Sequence, residues 1–271
     1  QARLAAAQRW VFANILMKLD TAPPAHGFVR HRSIVTNATP HVGRAVVVNL
    51  DLKDFFPSIT FRRVKGLFRK MGYSEHAATV LGLLCTEPPR VATELDGKVY
   101  HVALGDRVLP QGACTSPMIT NLLCRRLDKR LTGLAQRHGF AYTRYADDLT
   151  FSGDKTTATG RLLRSVREIL KNEGLTENPS KTHVMRKASR QEVTGVVVNE
   201  RLSVARDEYR KLRAILHNVV KHGLESQNRD QRKDFAAHLK GRVEFVCMVD
   251  PERAVKLRAM LKQALTRDPG F

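Results

Sequence analysis

Val46-Val47-Val48-Asn49-Leu50-Asp51-Leu52 reads as a β-strand, because β-branched and other apolar residues suit a pleated, buried surface. One carboxylate, Asp51, stands inside it, and a carboxylate in apolar surroundings is unfavourable unless something compensates its charge. Far downstream, Tyr145-Ala146-Asp147-Asp148 lies between two short apolar runs, Ala141–Tyr145 and Leu149–Ser152, which read as strands around a tight turn. Adjacent aspartates at such a tip repel each other. Three acids brought together make physical sense around a cation of high charge. Two divalent ions about 3.5–4 Å apart, held that way, support in-line phosphoryl or nucleotidyl transfer, and oxygen-only ligands suit magnesium. The residues thus point to a nucleic-acid polymerase with Asp51, Asp147 and Asp148 as metal ligands and two Mg2+ ions as cofactor. A polar turn and a strand-end aspartate without such a role fit the local sequence as well, so the order of elements has to decide.

That order, from Ala45 onward, is strand, inserted helical segment, helix, strand, strand, helix, strand. Pro57 ends the first strand. Helices follow at about 60–71 and 75–86, the second with Ser74 as N-cap. Asp96-Gly97, within Glu94–Val102, signals a hairpin. Leu109-Pro110-Gln111-Gly112 is a loop, and Ser116-Pro117 opens a long helix to about His138, since Pro suits the first helical turn. Thr159–Asn172 carries Leu162, Leu163, Val166, Ile169 and Leu170 on one helical face, and Thr182–Arg186 is the last strand. This is the split βαβ, ferredoxin-like order of an α+β fold, and its adjacent central strands set Asp51 beside the 147–148 tip. Ahead of it, residues 1–20 look helical, and 25–44 form a basic loop region with Arg30, His31, Arg32 and His41. Beyond Gly195, amphipathic basic helices at Val204–Leu224, Arg232–Val249 and Pro251–Leu265 predict a second, helical domain. The expected division is 1–195 and 196–271.

The chain has 271 residues, 42% of them hydrophobic, enough for one or two domains with real cores. Lys plus Arg number 46 against 26 Asp plus Glu, a formal charge of +20. Such an excess opposes compaction unless a polyanion neutralises it, and nucleic acid is the natural one. The four cysteines, Cys85, Cys114, Cys124 and Cys247, form no CxxC pair, which argues against zinc and disulfides and for small buried apolar residues in a reducing, cytoplasmic setting. No apolar run approaches the ~20 residues that span a bilayer, and no secretory signal is legible, so no membrane partner is expected.

Other residues around the acids suggest roles. After Asp51 the chain turns at Asp54-Phe55-Phe56-Pro57, where backbone N–H groups can meet phosphate oxygens. Phe56 can lie under the sugar of an incoming nucleotide and clash with a ribose 2′-hydroxyl; both phenylalanines also suit a core. Gln111, in a loop whose small residues permit close approach, is a candidate contact for nucleotide or template. Arg30 and Arg32 offer guanidinium forks to triphosphate oxygens, and a solvated loop is the plainer reading. Lys181, in Asn178-Pro179-Ser180-Lys181, is placed to protonate a leaving pyrophosphate, or is a surface lysine. Arg206, Arg210, Lys211 and Arg213 form a basic helix segment suited to gripping RNA.

These stretches resemble the motifs of reverse transcriptases: Asn49–Phe56 the first catalytic motif, Leu109–Pro117 the nucleotide-binding loop, Tyr145–Asp148 the second catalytic motif, and Asn178–Thr182 the later lysine motif. Asn37-Ala38-Thr39-Pro40-His41 resembles the NAxxH signature of bacterial retron reverse transcriptases, and Val193-Thr194-Gly195 their VTG signature. The resemblance covers nearly the whole chain. It implies a right-hand polymerase of fingers, ferredoxin-like palm (together 1–195) and helical thumb (196–271). It further implies dNTPs as substrates, an RNA/DNA hybrid, and a structured noncoding RNA as primer and template, primed from a guanosine 2′-hydroxyl to give branched RNA-linked DNA. A role in anti-phage defence with a separate effector protein goes with it. A group II intron-like or other bacterial reverse transcriptase is the alternative enzyme; a non-catalytic RNA chaperone on a polymerase scaffold is the alternative from another class.

Overall fold

The computed structural model describes residues 2–267. In chain order its elements are α1 (Ala2–Asn14), α2 (Ile34–Ala38), β1 (Val46–Lys53), α3 (Phe61–Lys70), α4 (Glu75–Cys85), β2 (Arg90–Leu95), β3 (Lys98–Ala103), α5 (Ser116–Leu123), α6 (Arg125–His138), β4 (Phe140–Tyr145), β5 (Asp148–Gly153), α7 (Thr159–Asn172), β6 (Thr176–Arg186), β7 (Glu192–Val193), β8 (Val196–Val197), α8 (Arg206–His222), α9 (Phe235–Val249) and α10 (Pro251–Arg267). They fall into two compact units, Gln1–Ser33 with Ala45–Val184, and Ile34–Arg44 with Met185–Phe271.

The first unit holds a four-stranded sheet ordered β4-β5-β1-β6, the ferredoxin-like neighbourhood that the element order predicts. β1 runs antiparallel to β5, from Val46 opposite Gly153 to Asp51 opposite Asp148, and β4 runs antiparallel to β5, from Phe140 opposite Gly153 to Tyr145 opposite Asp148. The pleat explains this register. Val46, Val48, Leu50 and Leu52 alternate onto the face where Leu149, Phe151, Phe140 and Tyr142 meet Leu127 and Leu131 of α6 and Leu162, Val166 and Leu170 of α7 in one core. A slip of one residue would drive Asp51 into that core. A second core gathers Val11, Leu16, Ile59, Val64, Phe68, Ala78, Leu109, Ile119 and Leu122.

Local signals hold at several element ends. Ser74 Oγ accepts from Ala77 N at 3.2 Å and caps α4. Asp96 and Gly97 both take positive φ, 51° and 71°, as a two-residue hairpin turn between β2 and β3 requires. Three expectations change. The long helix expected from Ser116 to His138 breaks at Cys124, because Ile119 and Leu122 belong to one core and Leu127 and Leu131 to the other. The last strand begins at Thr176 rather than Thr182. Pro179 argues against a strand there, yet β6 ends the sheet order, and edge strands tolerate Pro. Cys114 is exposed, whereas Cys85, Cys124 and Cys247 are buried as expected; all four thiols are free.

The second unit joins two stretches of the chain. Besides Met185–Phe271 it takes residues 34–44, read as loop, which contribute α2 and a 3-10 turn at Thr39–His41 in which Asn37, Ala38 and His41 are buried. The reason is tertiary. Asn37 Nδ2 donates to Thr194 Oγ1 at 3.3 Å, and Gly43 N donates to Val198 O at 2.9 Å. Thr194 and Gly195, both at positive φ, form the turn of the β7–β8 hairpin. The two short signatures are therefore one packed structure. α8, α9 and α10 follow; Asp234 caps α9 through Ala237 N at 2.8 Å, and Asp250 accepts from Arg253 N at 3.3 Å at the start of α10.

Phe151 is fully buried in the sheet core and stacks on Tyr142 with ring centroids 4.8 Å apart. Phe151→Ala is expected to lower the unfolding free energy by about 3–5 kcal/mol, measured by urea denaturation; a change below about 1 kcal/mol would contradict this placement of the core.

Candidate active site

β1 and β5 bring together the residues on which the sequence reading rests. Asp51 and Asp148 are direct cross-strand partners, so their side chains emerge on the same sheet face, away from Leu50 and Leu149. Asp147 sits in the turn before β5, and its carbonyl accepts from Leu52 N at 3.1 Å, which ties the turn to β1. The preceding residue, Ala146, takes φ +56°, a left-handed conformation that costs a non-glycine residue energy.

The electrostatics record the crowding. Burial, then the neighbouring Asp147 and Asp51 charges, push the Asp148 carboxyl up from 3.8 to about 6, against an opposing pull from Lys181. Asp147 is raised as well, chiefly by burial and also by Asp51. Both shifts have the sign expected of carboxylates that lack enough positive charge around them. The cation that faces Asp51 in the structure is Lys181, with Nζ 3.2 Å from Oδ1, while Asn178 Nδ2 donates to Oδ2 at 3.2 Å. Both partners lie on β6, and Ser180 Oγ donates to Asn178 Oδ1 at 2.8 Å. Among the described residues no three His, Cys, Asp or Glu side chains already close into a metal cage, and Asp51 is held by its partners on β6. The donor set still fits hard divalent cations, having only carboxylate oxygens, an acid pair in register and raised proton affinities.

Other candidates are placed differently. Phe55 is buried in the sheet core, and Phe56 is half-buried against the second core with its ring centroid 5.7 Å from that of Phe55. Gln111 is exposed in the loop before α5, where Gly112 takes φ +86° and Ser116 Oγ donates to Pro110 O at 2.8 Å. Arg30 is exposed. Arg32 is half-buried, and its Nη1 donates to the Pro23 carbonyl and to Ala25 O, the latter at 2.8 Å, so it staples the loop before residue 27. In the second unit Arg206, Arg210, Lys211 and Arg213 are all exposed on α8. Helical spacing puts Arg206, Arg210 and Arg213 on one stripe, whereas Lys211 lies off it and pairs with Glu208 at 3.3 Å.

Sequence reading missed the support beneath the acidic turn. Arg144 is fully buried and forms a two-pronged ion pair with Asp128, Nε to Oδ1 at 2.8 Å and Nη2 to Oδ2 at 2.7 Å. Tyr142, whose phenol is kept protonated chiefly by burial, donates to Asp128 Oδ1 at 3.0 Å. A basic residue three positions before Asp147 carries no local signal that it turns inward. On the far side, Arg167 and Thr182 both donate to Glu177, Nε at 2.5 Å and Oγ1 at 2.6 Å, and join β6 to α7.

The raised carboxyl gives a pH dependence of defined sign. Below about pH 4, Asp148 is protonated in folded and unfolded chains alike; between there and about pH 6 only the folded chain keeps the proton, so stability falls as pH rises through that window. With a chelator present, the thermal midpoint of the wild type should drop from pH 4 to 7 more than that of Asp148→Asn. Equal pH slopes would refute the crowding of these carboxylates.

Residues 10–198 match the family model described as "Reverse transcriptase (RNA-dependent DNA polymerase)". The chain is 51% identical to the retron Mx162 reverse transcriptase of Myxococcus xanthus, a match over 96% of this chain and 55% of that protein, and 49% identical to the retron Mx65 reverse transcriptase of the same organism, over 94% and 58%. It is 37% identical to the retron Ec86 reverse transcriptase of Escherichia coli, over 91% of this chain and 69% of that protein. The chain spans little more than half the length of the two Myxococcus relatives. With the acids of β1 and β5 in register and these matches along its length, the chain belongs to the reverse transcriptase family, in its bacterial retron branch, and its α+β architecture is the right-hand polymerase fold of that family.

Proposed function

We propose that this chain is an RNA-directed DNA polymerase, adding dNTPs to a primer on an RNA template and so forming an RNA/DNA hybrid. The observation that carries the reading is the pairing of Asp51 with Asp148, with Asp147 beside them, on the face of a ferredoxin-like sheet opposite its apolar core. Members of this family use divalent metal ions, and Asp51, Asp147 and Asp148 are the residues that would hold two Mg2+ ions here. Such ions supply charge that eases ionisation of the attacking hydroxyl and stabilises the departing pyrophosphate.

The chain's own groups do the remaining work. Lys181, already 3.2 Å from Asp51, gives a proton at Nζ to the leaving group or balances Asp51 until metal binds. Phe56, packed on its neighbours, presents a wall against a ribose 2′-hydroxyl. Gln111, Arg30 and Arg32 contact the incoming nucleotide, and Arg32 also ties down the loop that leads to Gly27. The α8 residues Arg206, Arg210, Lys211 and Arg213 grip RNA phosphates, Lys211 also lying within reach of Glu208.

Residues 1–195 act as fingers and palm and 196–271 as thumb, with 34–44 and 185–195 packed into the same compact unit as the thumb helices. Relationship to retron enzymes supports a structured noncoding RNA as both primer and template, a branched RNA-linked DNA product, and service in anti-phage defence with a separate effector protein. The free thiols suit a reducing, cytoplasmic setting, and no helix among the described residues is long and apolar enough to cross a membrane.

In a primer-extension assay with RNA template, dNTPs and Mg2+, Asp147→Asn should abolish product while leaving RNA affinity intact; an unchanged rate would remove the metal assignment. Phe56→Ala should incorporate ribonucleotides more readily, and unaltered sugar discrimination would move the gate elsewhere. Replacing Arg206, Arg210 and Arg213 together by Gln should flatten the dependence of log K for RNA on log salt by about 0.7–0.9 per charge removed. A slope equal to that of the wild type would take these residues out of the RNA interface.

A further inference from the structure

Arg144 does more than pair with Asp128. Its Nη1 donates to the Asn121 side-chain oxygen at 3.0 Å and to the Ala146 carbonyl at 3.1 Å. Asn121 lies on α5, the helix that opens from the loop carrying Gln111, and its Nδ2 donates to Gly27 O at 2.9 Å. The segment before Gly27 is sewn to the same residue by its backbone: Arg144 N donates to Pro24 O at 2.8 Å, and His26 N donates to Arg144 O at 2.7 Å. Gly27 then passes so close beneath the acidic turn that a Cβ there would stand 2.5 Å from Ala146 N. One buried residue thus binds the turn and the helix behind the nucleotide loop through its guanidinium, and the N-terminal segment beneath both through its backbone.

A buried ion pair is a poor choice for stability alone, since apolar residues of similar volume commonly serve as well or better. The contact that a purely structural pair would not need is the one to Ala146, the residue whose left-handed backbone aims Asp147 and Asp148 at Asp51. We infer that Arg144 is a positioning residue for the metal-binding turn, holding Ala146 from within and coupling that turn, through Asn121, to the helix after the nucleotide loop. The inference rests on the reading above of Asp51, Asp147 and Asp148 as metal ligands. Arg144 touches neither substrate nor metal; it acts through the turn, and Asn121 and Gly27 complete the seat in which the turn rests.

The test uses the whole chain and three variants: Arg144→Lys, Asn121→Ala, and the double replacement Arg144→Met with Asp128→Leu. Hydrogen exchange at residues 145–149, Mn2+ binding by electron paramagnetic resonance and thermal melting are followed beside primer extension. The double variant, which leaves neither charge buried alone, should melt within a few degrees of the wild type, yet exchange the turn amides at least tenfold faster and bind Mn2+ at least tenfold more weakly. Its Mg2+ midpoint in extension should rise about tenfold, with KM for dNTP moving much less. A double variant as stable as the wild type, with wild-type exchange and wild-type Mn2+ affinity, would show the network to be core packing only and overturn the inference. Should either Arg144 variant fail to fold, Asn121→Ala decides: turn exchange at least threefold faster supports the inference, and unchanged exchange overturns it. Exchange is read without metal or substrate. A wild-type chain that makes no DNA while these turn effects persist therefore refutes the polymerase reading and leaves the positioning role standing.

Discussion

Three carboxylates forced onto one sheet face are the constraint around which the first unit is arranged. Antiparallel pairing of β1 with β5 sets Asp51 opposite Asp148, and the strained turn adds Asp147. Burial raises the proton affinity of Asp148, and the neighbouring Asp147 and Asp51 charges raise it further. Nothing in backbone hydrogen bonding favours that concentration of charge. It persists because the other face of the same strands buries Val46, Val48, Leu50, Leu52, Leu149 and Phe151, and the pleat leaves the acids no alternative direction.

Around that face the structure supplies compensation in layers. Lys181 and Asn178 satisfy both oxygens of Asp51 from β6, and Glu177 on the same strand is gripped by Arg167 and Thr182. Beneath the turn, Arg144 and Asp128 form a pair shielded from water, with Tyr142 and Asn121 completing their hydrogen bonds. Such a network is costly unless nearly every donor and acceptor is met. Here the guanidinium bonds through Nε and both Nη groups, and both carboxylate oxygens of Asp128 accept.

The two cores of the first unit explain the remaining irregularity. A single helix from Ser116 to His138 would keep one apolar stripe, but the residues before and after Cys124 serve different cores, so the chain breaks there into two helices. In the second unit, residues 34–44 have little apolar periodicity of their own. They become helical, with Asn37, Ala38 and His41 buried, because Asn37 and Gly43 find partners at Thr194 and Val198, far along the chain.

Much of this was legible in the residues. Apolar runs, Pro and Gly punctuation and the helical stripe at Thr159–Asn172 report local backbone preference, and they give the element order, the neighbouring strands and hence the convergence of Asp51, Asp147 and Asp148. Motif spacing gave the family resemblance. What local reading could not supply was the partner of each polar side chain. Nothing local shows that the Arg32 guanidinium also meets the loop carbonyls of Pro23 and Ala25; Arg144 looks like any charged residue at a strand end until sheet register turns it inward onto Asp128. Backbone conformation is set largely by neighbours a few positions away, whereas a buried hydrogen bond depends on residues that only packing brings within 3 Å.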